Sequence, residues 1–197
     1  PANQSAAGVA DIVSHTFEQY FVREASMLSD GFCESMLKTV MHFGPIAIKE
    51  PNNFEARGEI FAASSFGCCG LLSLGRSPSP WPCHGIEHEV SAWYDITHGV
   101  GLAIITPHWM RYCLEHNHAA VAPKFAQYGV NVLGLNPADG VDVNAEKAIE
   151  QTADFFRSLG ITQTLRDFGI DDTHFGEMAD HVLTAWFGDY SKSFAPI

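Results

Sequence analysis

The chain has 197 residues, enough for one well-buried domain, and its 46% hydrophobic and 17% charged content is that of a core-forming globular protein. With 23 acidic against 11 basic residues it carries a formal charge of -12, which argues against nucleic acid and anionic membrane surfaces as partners. No apolar run is long enough to span a bilayer, no signal peptide is visible, and five cysteines without CxxC spacing fit reduced thiols in the cytoplasm.

Helical periodicity runs through most of the chain. Val9, Ile12, Val13, Thr16, Phe17, Tyr20 and Phe21 predict a first helix over residues 6–24, with Asp11 and His15 one turn apart on one face. A second helix is expected over residues 27–48, with Phe32, Met36, Leu37, Val40 and Phe43 as its buried stripe. Asn52 or Asn53 can cap a third, running from Phe54 to Gly75; its small residues predict a close helix contact that buries the Cys68 and Cys69 thiols. Pro78, Pro80 and Pro82 then enforce a loop, because they remove donors and fix the backbone. That loop delivers Cys83 and His84 into a fourth helix.

Residues 94–97 break the helical run that ends at Trp93, and Asp95 or Thr97 can cap a further helix from His98, bent or interrupted at Pro107; His108, His116 and His118 beyond it are expected in solvent. A short helix over residues 121–132, a loop over 134–140, and an amphipathic helix over 144–159 stopped by Gly160 follow. A helical turn over 164–169 and a last helix, capped by Asp171 or Asp172 and reaching about Trp186 with His174 and His181 on it, complete the pattern. No stretch alternates at period two and no repeat occurs, so the fold class is all-α, a single multi-helix domain over residues 1–197. The chain opens without methionine and stops on an apolar residue, which reads as a piece of a longer polypeptide.

Six of the ten histidines fall between residues 84 and 118. On one straight helix His84 and His98 would lie about 21 Å apart at the α-helical rise of about 1.5 Å per residue, too far to share a small ligand. The break over residues 94–97 would let two helices meet near their ends and could bring both to one point. One carboxylate and three imidazoles, Asp11, His15, His84 and His98, could then converge from three helices, with His88 competing with His84. Such nitrogen and oxygen donors suit Fe2+ or Zn2+ better than Ca2+ or Mg2+. Histidines satisfied by core hydrogen bonds are the competing explanation.

The segments GVADIVSHTFEQYF, EPNNFEARGEIFAAS, CHGIEHEVSAWYDITHGVGLAIITPHWMRY and FFRSLGITQTLRDFGI together resemble the helical C-terminal domain of the iron-containing (group III) alcohol dehydrogenases, most like the butanol-dehydrogenase branch. The specific spacings are G-x-x-D-x-x-x-H-x-x-E at Gly8, Asp11, His15 and Glu18, and H-x3-H-x9-H-G from His84 to Gly99. The resemblance implies that Asp11, His15, His84 and His98 bind one divalent metal, Fe2+ or Zn2+. It also implies that His88 stands beside the nicotinamide of NAD or NADP, where it relays a proton. The metal would polarise the oxygen of a small alcohol or aldehyde for hydride transfer to or from nicotinamide. The family's N-terminal α/β nucleotide-binding domain has no counterpart here, as no strand, Gly-rich turn and helix unit is visible. The resemblance therefore implies that these residues alone turn over little or no substrate, and that the whole enzyme is a dimer or larger. Two other functions fit a metal-binding helical domain. One is a metal-dependent hydrolase, although the adjacent His-Asp pair usual in helical phosphohydrolases is missing. The other is a non-catalytic metal-binding domain.

Overall fold

The computed structural model describes residues 1–185 and 189–195, so the expected end of the last helix at Trp186 lies outside the described residues. Among the described residues the chain forms seven α-helices joined by loops and short 3-10 turns, and no strand. None of these helices is long and apolar enough to cross a membrane.

Helix α1 (Ala2–Tyr20) is the central element. Every apolar position of its predicted stripe is buried, from Val9 and Val13 to Phe17 and Tyr20. It ends earlier than its periodicity suggests, because Phe21 leaves helical geometry to enter the aromatic core. Helix α2 (Met27–Lys49) begins with a capping box in which Ser26 and Ser29 satisfy each other's backbone N–H groups. It buries Met36, Leu37 and Val40, whereas Phe32, expected inside, is 46% exposed.

Helix α3 (Phe54–Gly67) is capped by Asn53, whose side chain accepts the Ala56 N–H. It is shorter than the helix expected to reach Gly75. Gly70, at φ 83°, breaks the run, and Leu71–Ser73 form a 3-10 turn. Only Ala56, Ala63 and Gly67 of α3 are buried, so its outer face carries Phe54, Phe61 and Phe66 into solvent. The expectation of buried vicinal thiols is corrected for the same reason: Cys68 and Cys69 follow the end of a helix that packs by one face, and both are exposed. Cys33, Cys83 and Cys113 are buried, and all five thiols are free.

Helix α4 (Pro82–Tyr94) and helix α5 (His98–Asn131) are separated by the break read from the sequence. Asp95 closes α4 in a left-handed conformation, and Thr97 precedes α5 without a side-chain cap bond. The expected interruption at Pro107 is corrected. Proline removes one intrahelical bond there, but buried Ile105, Thr106, Trp109 and Met110 hold the helix on both sides. The backbone instead leaves helical geometry at Asn117 (φ -136°, ψ 36°), amid the exposed residues Glu115, His116, His118 and Ala119, where no core contact enforces the helix. The segment expected as a separate helix over 121–132 is thus the second arm of α5.

Helix α6 (Val141–Ser158) lays Ala145, Ala148, Ile149, Thr152 and Phe156 along α5. The expected turn is a 3-10 helix over Leu165–Phe168, and α7 (Phe175–Ala185) packs on α4. The link that matters most for function is α1 on α5. Phe17 meets Tyr128 edge-on at 5.1 Å and Phe21 meets Phe125 at 4.9 Å, contacts worth about 0.5–1.5 kcal/mol each beyond the area they bury. This aromatic clamp sets the height at which α1 passes the start of α5, and with it the distance from Asp11 to His98.

Candidate metal centre

The start of α5 touches α1 at Gly99. A methyl group on Gly99 would sit 2.0 Å from the Ala7 carbonyl oxygen, so only glycine allows this crossing. One residue before it, His98 is turned toward Asp11. His84 comes from the first turn of α4, delivered by the proline loop through Trp81. Trp81 holds φ 53°, an uncommon value for a bulky residue, and sets its indole 5.4 Å from the His15 ring and 5.0 Å from the His84 ring.

Three of the expected residues meet here. Asp11 Oδ1 is 3.6 Å from His84 Nε2 and 3.5 Å from His98 Nε2, and the three donor atoms lie within 4.8 Å of one another. Two ligands held at about 2.1 Å from a tetrahedral ion would be about 3.4 Å apart, so these separations match a shared cation. Asp11 Oδ1 and His84 Nε2 are buried and have no hydrogen-bond partner, a costly state unless another group satisfies both. Side-chain exposure is 4% at His84, 30% at Asp11 and 37% at His98, so the cluster is walled on one side and open on the other.

His15 stands beside this cluster, outside the group of three. Its Nδ1 is 3.1 Å from Asp11 Oδ1 and 2.9 Å from the Asp11 carbonyl oxygen, and its ring centre is 4.5 Å from that of His84. Gln19 steadies this part of α1 by donating to both the His15 and the Gly67 carbonyls. His88, one turn beyond His84, is half-buried, with its ring centre 6.0 Å from His84 and 5.2 Å from His98. His108, His116 and His118 are exposed as expected. His174 and His181 are elsewhere, the first stacked on Trp93 at 4.1 Å and the second 2.7 Å from Glu89.

Electrostatics follow from the crowding. Burial opposes ionisation of Asp11, but the imidazoles of His15, His84 and His98 outweigh it and hold the carboxyl well below the usual carboxylate range. Burial likewise opposes protonation of His84, yet Asp11 and Glu18 raise its pKa. Asp11 and Glu87 push His98 up to about 10 against a smaller desolvation effect. His88 is shifted the other way, by burial and then by the neighbouring His98 and His84 charges. The point among these side chains is therefore one where positive charge is stabilised.

Two carboxylates complete the site. Glu18 accepts from His84 Nδ1 at 2.8 Å, and Glu87 accepts from His98 Nδ1. Glu18 stood in the first motif; Glu87 was not foreseen. Its signal was present nonetheless: a charged residue on the inward stripe of α4, in register with Cys83 and Val90. Glu87, His88 and His98 also form a group close enough to hold an ion. Glu87 already accepts from both Ser91 and His98, however, which suits it better to support than to ligation.

This architecture defines an all-helical domain with a half-open centre of imidazoles and carboxylates at the crossing of three helices. Comparison with known proteins identifies which one. The profile of the Fe-containing alcohol dehydrogenase family, C-terminal, matches residues 5–192, and the chain belongs to that family. It is 48% identical over 172 residues to NADH-dependent butanol dehydrogenase A of Clostridium acetobutylicum, covering 86% of this chain and 43% of that protein. NADPH-dependent aldehyde reductase YqhD of Escherichia coli is 33% identical over 87% of this chain and 43% of its own length. Among solved structures, NADH-dependent butanol dehydrogenase A of Thermotoga maritima superposes with a TM-score of 0.83 at 31% identity, over 93% of this chain and 44% of that one. The substrate-free and cofactor-free form of YqhD gives 0.82 at 30% identity, over 94% and 49%. The chain thus spans slightly less than half the length of these relatives.

Proposed function

We propose that this chain is the metal-holding half of an NAD(P)-dependent alcohol or aldehyde dehydrogenase, with Asp11, His15, His84 and His98 as ligands of one divalent ion, Fe2+ or Zn2+. The observation that carries the reading is the meeting of Asp11 Oδ1, His84 Nε2 and His98 Nε2 at a half-open point in a chain of this family. His15 joins as fourth ligand by turning its ring away from the Asp11 carbonyl. When bound, the metal supplies Lewis acidity that polarises an alcohol or carbonyl oxygen.

The chain's own residues do the rest. Asp11 supplies the negative charge that draws the cation, and His84 and His98 supply neutral nitrogen donors from two helices whose angle is set by the Asp95 turn. Trp81 and the buried flank of α4 exclude water behind His84. His88, at the edge of the centre and shifted toward its neutral form, is suited to accept a proton from the alcohol side of the reaction and return it in the reverse direction. The nicotinamide comes to the open side from a nucleotide-binding domain in the half of the relatives that this chain does not span. The substrates are small primary alcohols and aldehydes, as the names of the relatives suggest. Free thiols, buried and exposed, accord with a reducing cytoplasmic setting.

Elemental analysis of protein purified without added metal, for the wild type and for His84→Ala and His98→Ala, tests the proposal. About one iron or zinc per chain is expected in the wild type and loss of it in both variants. A wild type without stoichiometric metal, or variants that retain it, would overturn the ligand assignment. With butanal and NADH, residues 1–197 alone should show no turnover above background. Sustained NADH oxidation by them would refute the division of labour between the two halves.

A further inference from the structure

Each of the two imidazoles that point Nε2 at Asp11 has its other nitrogen on a buried carboxylate. Glu18 of α1 is 2% exposed and uses both oxygens: one accepts the Cys83 backbone N–H at the start of α4, the other His84 Nδ1 at 2.8 Å. Glu87 of α4 is fully buried and does the same, accepting from Ser91 Oγ and from His98 Nδ1. Among the described residues, the ion-pair partner of each carboxylate is the imidazole that it holds.

A neutral imidazole carries one N–H and one lone pair. A carboxylate accepts hydrogen bonds only, so a carboxylate on Nδ1 requires the N–H there and leaves the lone pair on Nε2. In both histidines Nε2 is the atom that faces Asp11 Oδ1. We infer that Glu18 and Glu87 are positioning residues, which fix His84 and His98 in the tautomer and ring orientation that present Nε2 to the cation. The inference rests on the proposed metal centre and adds to it a chain of contacts through the fold. Glu18 of α1 holds the ligand on α4, and Glu87 of α4 holds the ligand on α5, while Asp11 on α1 faces both. Gly101 belongs to this device, since a methyl group there would stand 2.5 Å from Glu87 Oε1.

Two measurements test it. In the wild type loaded with Zn2+, long-range nitrogen-proton correlation spectra of 15N-labelled imidazoles should show Nδ1–H, with Nε2 on the metal, for both His84 and His98. An Nε2–H form, or metal on Nδ1, would overturn the inference whatever the variants do. The second measurement is Co2+ affinity by chelator competition, together with the visible Co2+ spectrum, for Glu18→Gln, Glu87→Gln and Gly101→Ala. In Glu18→Gln the Cys83 N–H claims the amide oxygen, so the amide NH2 faces His84 Nδ1, donates instead of accepting and favours the wrong tautomer; in Glu87→Gln the Ser91 hydroxyl can take the amide N–H, and His98 Nδ1 is left with a weaker, uncharged acceptor. Each glutamine variant should therefore bind Co2+ about 10–100-fold more weakly, the usual cost of losing such a partner, and with shifted bands. Gly101→Ala should act as Glu87→Gln does, by displacing the same carboxylate. If the wild type binds one Co2+ and the variants match it in affinity and spectrum, the inference fails and the metal centre stands. If the wild type binds none, both fall. Should a variant fail to fold, the wild-type spectrum alone decides.

Discussion

Gly99 shows how narrowly a single residue sets this centre. It follows His98 directly, and its missing side chain lets α5 approach the Ala7 carbonyl on α1. In Gly99→Ala the methyl group would meet backbone, which cannot swing aside as a flexible side chain does. The helices must part, at a cost of about 3 kcal/mol, the upper part of the usual range for overpacking. Gly58 is the contrasting case: it is exposed inside α3 with nothing near its absent Cβ, so Gly58→Ala should stabilise by about 0.5–1 kcal/mol through helix propensity. Urea denaturation of the two variants should shift the midpoint in opposite directions. Equal shifts would mean that the α1/α5 crossing yields more easily than its geometry indicates.

At the scale of elements, α3 depends on its cap more than its neighbours do. It buries only three residues, so the Asn53 side chain on the Ala56 N–H is a large share of what holds its first turn. Asn53→Ala should cost about 1 kcal/mol, seen as faster amide exchange in the first turn of α3 with α1 and α5 unchanged. Uniform loss of protection would show instead that α3 unfolds only with the whole. The same helix marks where sequence reading ran out. Periodicity located α1, α2, α4 and α6 and the break over residues 94–97, because those elements bury a continuous stripe that repeats every three or four residues. It misplaced Phe32, since an aromatic residue at helical spacing shows a face but not what covers it. Pro107 misled for the opposite reason: a lost hydrogen bond is visible in sequence, and the packing that compensates for it is not. That Asp11, His84 and His98 could meet was legible through spacing and family pattern. Glu87 was not, because its partner lies on the next helix and only the fold brings Nδ1 of His98 to it.

For the whole molecule, the thiols and the proposed metal centre should report on the same folded state. Burial pushes Cys33 up to about 11 and Cys113 up to about 12, and Cys83 well above its ordinary range, while Cys68 and Cys69 are exposed. In native protein at pH 8 an aromatic disulfide reagent should label two thiols per chain, the other three reacting only on unfolding. The metal should slow that second phase. Asp11, His84 and His98 are brought together only by the fold, so an ion bound to them favours the native state by RT times the logarithm of one plus the ratio of its concentration to its dissociation constant. At about a thousandfold excess over its dissociation constant the ion adds about 4 kcal/mol. For a domain of this size, that corresponds to a rise in Tm of about 8–16 °C. Dialysis against a chelator should remove the increment and speed labelling of Cys33, Cys83 and Cys113, and readdition of Zn2+ should restore both. His84→Ala should show the unliganded Tm with or without metal. If that variant instead gains as much from Zn2+ as the wild type, the stabilising ion is bound elsewhere, and the crossing of α1, α4 and α5 is not its site.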